Sequence, residues 1–276
     1  MRYAAFSRRE NMPPYSSTTE QEVRRRAEKY LDSCRVYSNS SYEREQELND
    51  WIDKPRVAEK LMGDFEKRAG PLPGKSVLDI GFGGGFFSIA FARKGARVSG
   101  LEVNKVLADI AHEQVAQAGV EADLRLYDGH TFPYERESFD YCYSTSVLEH
   151  VDDAQTMLSE IGRVLKKGGA CYLSFPNRLR PKETHTGIYF LSYLPRSVAD
   201  RLMRTLFGRT TVEDINLHFI SFLKLKRMLR KTPLVIKDES NGGSLPKRIL
   251  KKALKLLSLH HSAILGTVMV VLEKKV

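Results

Sequence analysis

Residues 76–104 read SVLDIGFGGGFFSIAFARKGARVSGLEVN. Val77, Leu78 and Ile80 make a short apolar strand. Gly81, Gly83, Gly84 and Gly85 then allow a sharp turn in which backbone can approach a ligand with no side chains between. Apolar residues at helical spacing from Phe86 to Arg93 predict a helix, Lys94 and Gly95 stop it, and Ala96 to Leu101 form the next strand. Glu102 ends that strand, 21 residues after Gly81. In a doubly wound sheet this is the place of a carboxylate that accepts hydrogen bonds from two ribose hydroxyls. The stretch therefore predicts half of a nucleoside pocket.

The glycine spacing narrows the nucleoside. A dinucleotide fingerprint needs GxGxxG, and here Phe86 stands where its third glycine belongs, which argues against a dehydrogenase. The run Asp79-Ile80-Gly81-Phe82-Gly83-Gly84-Gly85 instead resembles the first motif of the class I S-adenosylmethionine-dependent methyltransferases. Downstream, Tyr127-Asp128-Gly129-His130-Thr131-Phe132-Pro133, Phe139-Asp140 and Leu148-Glu149-His150-Val151 follow in the order that family uses. The resemblance covers roughly residues 76–175, with the LEHV segment similar to the quinone-biosynthesis branch. It implies an α/β, Rossmann-like, doubly wound mixed sheet of seven strands in order 3-2-1-4-5-7-6, and S-adenosyl-L-methionine as cofactor. It further implies Gly81, Gly83 and Gly85 beside the methionine part, Glu102 on the ribose, Asp128 with Gly129 at the adenine, Asp79 orienting the loop and backbone contacts from Ser144. Each has a plainer reading. Gly85 would serve helix packing, Asp128 a turn before Gly129, and Asp79 a backbone amide.

Composition agrees with one α/β core plus decoration: 276 residues, 42% hydrophobic and 28% charged. Cys34, Cys142 and Cys171 show no CxxC or Cys/His ligand spacing, so buried thiols are expected rather than a disulfide framework or zinc site. The apolar tract 263–272 is far short of the roughly 20 residues that span a bilayer. The first residues lack the apolar core of a secretory signal, which makes a cytoplasmic address the expectation. Charge is lopsided. Residues 222–276 hold 13 Lys/Arg against 3 Asp/Glu, and the first 221 residues hold 31 of each, so the whole net charge of +10 is C-terminal.

Residues 1–74 read as a helical N-terminal extension, or lid, with helices near Glu20–Cys34 and Lys54–Arg68, ended by Gly70-Pro71-Leu72-Pro73-Gly74. Its Trp51, Tyr15, Tyr30, Tyr37 and Tyr42 either roof a ligand pocket or, the more common use of aromatics, anchor the extension on the sheet. Residues 75–276 carry the βα repeat. Helices are expected at Lys105–Ala118 and Asp153–Leu165, and strands at Asp123–Leu126, Tyr141–Ser144 and Ala170–Phe175, with Lys166-Lys167-Gly168-Gly169 as a turn. An insertion, 176–216, bears helix signals around Pro195–Phe207. A helix at Ser221–Lys231, a strand at Leu234–Lys237, a basic helix at 244–259 and a final strand at Gly266–Glu273 complete the chain.

Methyl transfer from a sulfonium is an in-line displacement, so positioning in a dry pocket outweighs polar catalysis. Alignment of the reacting atoms can remove on the order of 7–11 kcal/mol from the barrier. The extension and the insertion are long enough to cover the carboxyl ends of the strands, where acceptor choice would reside. A hydroxyl acceptor benefits from a general base, and His150, then His185, then His218 are the candidates, each against the plainer reading of a hydrogen-bonded structural histidine. No metal is expected, since Glu149, Asp152 and Asp153 adjoin a helix start, where carboxylates cap amides. Segment 246–259 puts Leu250, Ala253, Leu254 and Leu257 on one stripe and Arg248, Lys251, Lys252 and Lys255 opposite. This fits either a helix covering the sheet or peripheral contact with an anionic membrane. The acceptor is expected to be a small molecule or lipid-linked. RNA methylation lacks an NPPY-like or cysteine-nucleophile motif, which makes a nucleic-acid partner the weaker reading. A cofactor-binding protein without turnover is the third.

Overall fold

The computed structural model describes residues 17–33, 41–183, 185–207, 213–239 and 266–276. Seven strands form one sheet: β1 (Ser76–Ile80), β2 (Arg97–Glu102), β3 (Asp123–Leu126), β4 (Phe139–Thr145), β5 (Leu165–Pro176), β6 (Leu234–Glu239) and β7 (Thr267–Lys274). Their order is β3-β2-β1-β4-β5-β7-β6, as expected from the motifs. β1 to β5 pair in parallel, and β7 runs antiparallel between β5 and β6. Parallel central strands are covered on both faces, so they carry unbroken apolar runs. Leu78 and Ile80 enter one core with Leu158, Ile161 and Leu225, whereas Val77 and Tyr143 enter another with Phe65 and Phe91.

The first core contains α5 (Ala154–Val164) and α7 (Phe222–Leu229); the second contains α3 (Phe86–Arg93) together with the extension, α1 (Ser17–Ser33) and α2 (Ser41–Ala69). α4 (Lys105–Gln117) packs with Phe82 and Ile89, and α6 (Arg196–Leu202) belongs to the insertion. No helix among the described residues is long and apolar enough to cross a membrane.

Two expectations need correction. α2 begins at Ser41 rather than Lys54 and runs through Pro55. An interior proline costs about 3 kcal/mol. Leu48 and Trp51 before it and Ala58, Met62 and Phe65 after it all bury in the same core, which keeps the helix continuous. β5 begins at Leu165, and 166–169 do not form a free turn. Phe139 pairs with Leu165 and Tyr141 with Ala170, so these residues bulge out of the strand, with Gly168 at φ 71°. Of the two uses open to the aromatics of the extension, those described serve the anchoring one. Trp51 is 1% exposed and meets Tyr30 and Phe86 at 5.6 Å between ring centroids. Tyr15, Tyr37, Cys34 and the basic segment 244–259 lie outside the described residues, and so does the side chain of Tyr42. Cys142 and Cys171 are buried free thiols on adjacent strands.

Candidate active site

The glycine turn after β1 is shaped by what touches it. Gly81, Gly83 and Gly85 have φ of 71°, 53° and 82°. A Cβ on Gly81 would lie 2.3 Å from Val147 Cγ2, and one on Gly85 would lie 3.0 Å from the Ala111 Cβ of α4. On Gly83 it would meet nothing within 4 Å. Gly81 is thus bare to admit the chain after β4, Gly85 to admit α4, and Gly83 faces open space.

Glu102 closes this turn from the end of β2. Its Oε2 accepts the Gly83 amide at 2.9 Å, and its Oε1 accepts those of Val103 and Asn104 at 2.8 and 2.9 Å. Burial raises the carboxyl above its usual range, and the three amides pull it partly back. Asp79 is 2% exposed and accepts the Ser88 hydroxyl at 2.6 Å, which ties β1 to α3. Burial pushes its pKa up to about 7 against the bond from Ser88, and nearby Glu102 adds to the rise. Two buried acids therefore stand behind one glycine turn.

Asp128 is exposed and caps its own turn, accepting the His130 and Thr131 amides at 2.8 and 3.2 Å, which lowers its pKa. Gly129 (φ 85°) lies against Val103, which is 57% exposed beside Leu126 at 52%. This apolar shelf at the ends of β2 and β3 was missed in the sequence, where Val103 looks like an ordinary loop residue. Ser144 is fully buried, and its hydroxyl has no hydrogen-bond partner among the described residues.

The chain leaves β4 through Ser146, at φ 58°, whose amide is held by the Ser174 carbonyl at 2.8 Å. Val147 then drops onto Gly81, and the single turn 148–150 closes with the His150 amide on the Val147 carbonyl at 2.8 Å. His150 consequently stands one turn from the glycine loop. Its Nε2 is 3.2 Å from Nε2 of His185, and its Nδ1 is 2.9 Å from the Ile215 carbonyl. Burial, helped by His185, lowers the His150 pKa to about 4. His185 Nδ1 is 3.0 Å from Glu183 Oε1, which also accepts the His185 amide at 3.0 Å, while Oε2 accepts that of Thr186 at 2.6 Å. Burial would raise the Glu183 carboxyl, yet these bonds hold it at about 2.

The two histidines singled out from sequence thus meet across 35 residues, and the third does not join them. His218 Nε2 contacts Asn216 Oδ1 at 3.0 Å, and Asn216 in turn donates to the His150 carbonyl and to Asp152. Glu183 and Asn216 were not anticipated; the signal was Glu183-x-His185, which lets a carboxylate reach forward to both an amide and a ring. The capping account of the acids holds for Asp153, which accepts the Gln155 amide at 2.9 Å, and fails for Glu149. Glu149 is 1% exposed, neither oxygen has a hydrogen-bond partner among the described residues, and burial raises its pKa to about 7. The side-chain ligand atoms of Glu149, His150 and His185 lie within 4.8 Å of one another, a grouping that could hold a metal ion.

Comparison with known proteins matches residues 78–173 to a methyltransferase domain. The ubiquinone biosynthesis O-methyltransferase of Hahella chejuensis is 36% identical over 138 residues, 48% of this chain and 58% of that protein. That of Pseudomonas aeruginosa (strain UCBPP-PA14) is 36% identical over 141 residues, 49% of this chain and 60% of that protein. The chain therefore spans less than two thirds of the curated relatives it matches. Among solved structures, magnesium protoporphyrin IX methyltransferase from Synechocystis PCC 6803, with bound SAH, superposes at TM-score 0.56 with 15% identity, covering 90% of this chain and 94% of that one. The [4+2]-cyclase SpnF superposes at TM-score 0.56 with 18% identity, covering 80% and 83%. At such identities the likeness shows the fold alone. Residues 78–173 thus match a methyltransferase domain, and in strand order and ordered motifs the chain is similar to the class I S-adenosylmethionine-dependent methyltransferases, the curated relatives it matches being ubiquinone-biosynthesis O-methyltransferases.

Proposed function

We propose that this chain transfers the methyl group of S-adenosyl-L-methionine to an oxygen atom of a small-molecule or lipid-linked acceptor. The observation that carries the reading is Glu102. Glu102 is a buried carboxylate at the end of β2, braced against the Gly83 amide, and in this reading it accepts the two ribose hydroxyls. Asp79 holds the loop through Ser88 and adds negative charge behind a cofactor whose sulfonium is positive. The open space before Gly83 receives the amino-acid part, the Val103–Leu126 shelf takes the adenine, and Asp128 and Gly129 edge that ring. Gly81 and Gly85 fix the turn, and backbone near Ser144 completes the pocket.

His150 and His185 are the groups proposed to act on the acceptor. Their pair adjoins Val147, the residue seated on Gly81, so an acceptor oxygen lying between the pair and the sulfonium is close to the reactive methyl group. His150, neutral at physiological pH, can draw the acceptor's proton as the C–O bond forms and the C–S bond breaks. The insertion 176–216, which supplies His185, and the extension 1–74 are read as the parts that select the acceptor and exclude water. The relatives named as O-methyltransferases of ubiquinone biosynthesis favour an oxygen as the acceptor atom. Fold likeness to a [4+2]-cyclase is the reason to demand turnover rather than binding as proof. A cytoplasmic location, with peripheral contact of segment 246–259 on an anionic membrane, fits the C-terminal charge.

The test incubates the protein with methyl-labelled cofactor and separate pools of polar metabolites, lipids and RNA. Label is expected in a hydroxyl-bearing compound of the first or second pool. Label in RNA alone, or binding without any product, would overturn the reading.

A further inference from the structure

We infer that Gln114, on α4, is a positioning residue for the glycine turn, holding the peptide between Gly83 and Gly84 in the orientation that a bound cofactor meets. The inference rests on the proposed reading of that turn as the cofactor's seat. Titration of the wild type judges that reading, and comparison between variants judges Gln114.

Most amides of the turn are engaged within the fold. Those of Gly81 and Phe82 go to the Leu101 carbonyl at 2.8 and 3.3 Å, that of Gly83 to Glu102 Oε2 at 2.9 Å, and that of Gly85 to the Phe82 carbonyl at 2.9 Å. The Gly84 carbonyl accepts the side-chain amide of Gln114, whose Nε2 stands 2.7 Å away. Among the described residues, the Gly84 amide and the Gly83 carbonyl have no hydrogen-bond partner. The peptide joining Gly83 to Gly84 is therefore the link of the turn with both polar groups to offer, and it borders the open space in front of Gly83. A peptide flanked by two glycines is free to rotate, since neither neighbour has a Cβ to restrict it. Here it is suspended between two anchors, Glu102 on the Gly83 amide and Gln114 on the Gly84 carbonyl.

Both anchors belong to one unit. Glu102 ends β2 and its Oε1 accepts the Val103 and Asn104 amides, and Asn104 Oδ1 in turn accepts those of Val106 and Leu107 at 2.9 and 3.1 Å, which caps α4. Gln114 follows on that helix three residues after Ala111, and residues so spaced share a face. Ala111 is small enough to admit Gly85, and Gln114 reaches past it to Gly84. α4 is itself held by α1, where Arg26 donates to Gln117 Oε1 at 2.7 Å and Lys29 to Glu113 Oε1 at 3.4 Å. Gln114 is 6% exposed, and a buried amide needs a partner that an apolar side chain of the same length would not. The Gly84 carbonyl, which would otherwise be left bare, accounts for an amide at this position.

The full chain, Gln114→Met and Gln114→Glu are titrated with S-adenosylhomocysteine by calorimetry, and amide hydrogen exchange is followed in each without ligand. Gln114→Met keeps the length and removes the donor. It should weaken binding about 3–10-fold, the worth of one hydrogen bond, and speed exchange at Gly83 and Gly85 while β4 and β5 exchange as before. In Gln114→Glu only the protonated carboxyl can donate, so its affinity relative to wild type should fall as pH rises from 5 to 8. Circular dichroism checks each variant, and if Gln114→Met does not fold, the pH profile of Gln114→Glu decides. A wild type that takes up no S-adenosylhomocysteine removes the cofactor reading and leaves exchange at the turn to judge Gln114. Affinity in Gln114→Met within twofold of a binding wild type, exchange at the turn unchanged, or exchange accelerated evenly over the sheet, overturns the inference and makes Gln114 a packing residue.

Discussion

Gly81 and Gly83 are both glycines with positive φ, but they are bare for different reasons, and substitution separates them. A side chain at Gly81 collides with Val147 at 2.3 Å, whereas at Gly83 it enters open space. Gly83→Ala should cost only the left-handed penalty of about 1–2 kcal/mol and still lose most cofactor affinity, because the new methyl occupies the ligand's place. Gly81→Ala should cost clearly more stability. Thermal melting paired with calorimetry on S-adenosylhomocysteine checks both, and a Gly83→Ala chain that binds normally would contradict the cofactor placement. Asp79 gives a prediction in pH. Its folded pKa, about 7, lies above the unfolded value near 3.9. Between these the folded chain binds the extra proton, so stability is fully present below about pH 4 and falls as pH rises through 7. Asp79→Asn should flatten that decline in melting temperature between pH 5 and 8; an unchanged slope would assign it elsewhere.

At the scale of elements, the extension turns out to be part of the second core, joined to α3 through Trp51. The indole touches the position of a Gly84 Cβ at 3.0 Å and stands edge-on to Phe86. Trp51→Ala should therefore cost about 3–5 kcal/mol and weaken cofactor binding, although residue 51 lies 30 positions before the loop. A stable variant with normal affinity would return the extension to the role of a detachable cover. α2 also shows how far local signals reach. Pro55 and the polar run before it point to a helix starting late, and only the shared burial of Leu48, Trp51, Ala58 and Met62 carries the helix through the proline.

For the whole molecule, a ligand that binds only the folded chain stabilises it by mass action. At 100 times its Kd, S-adenosylhomocysteine should contribute about 2.7 kcal/mol, and so raise the melting temperature by roughly 5–10 °C. No shift at that concentration would mean the site is not the one proposed. The excess of +10 in residues 222–276 makes a second whole-chain prediction. Sedimentation with anionic liposomes should exceed that with neutral ones and fall with salt, whereas equal and salt-insensitive sedimentation would assign the basic stripe to solvent.

The sequence by itself determined the sheet and the glycine turn after its first strand. The residues that make those features, from Val77 to Glu102, are contiguous, and the periodicity of strand, turn and helix is a local property. The gathering of Asp79, Gly81, Gly85 and Glu102 around one turn was legible for that reason. The histidine pair was legible only as two separate candidates, and Glu149 was misread as a cap, because burial is a property of packing that no local window contains. Tertiary structure decided that His150 meets His185, that Ile215 and Glu183 stand against their Nδ1 atoms, and that the Glu149 carboxylate is buried beside them with no hydrogen-bond partner among the described residues. Those contacts join the turn after β4 to an insertion 35 residues away, and only the folded chain brings them within reach.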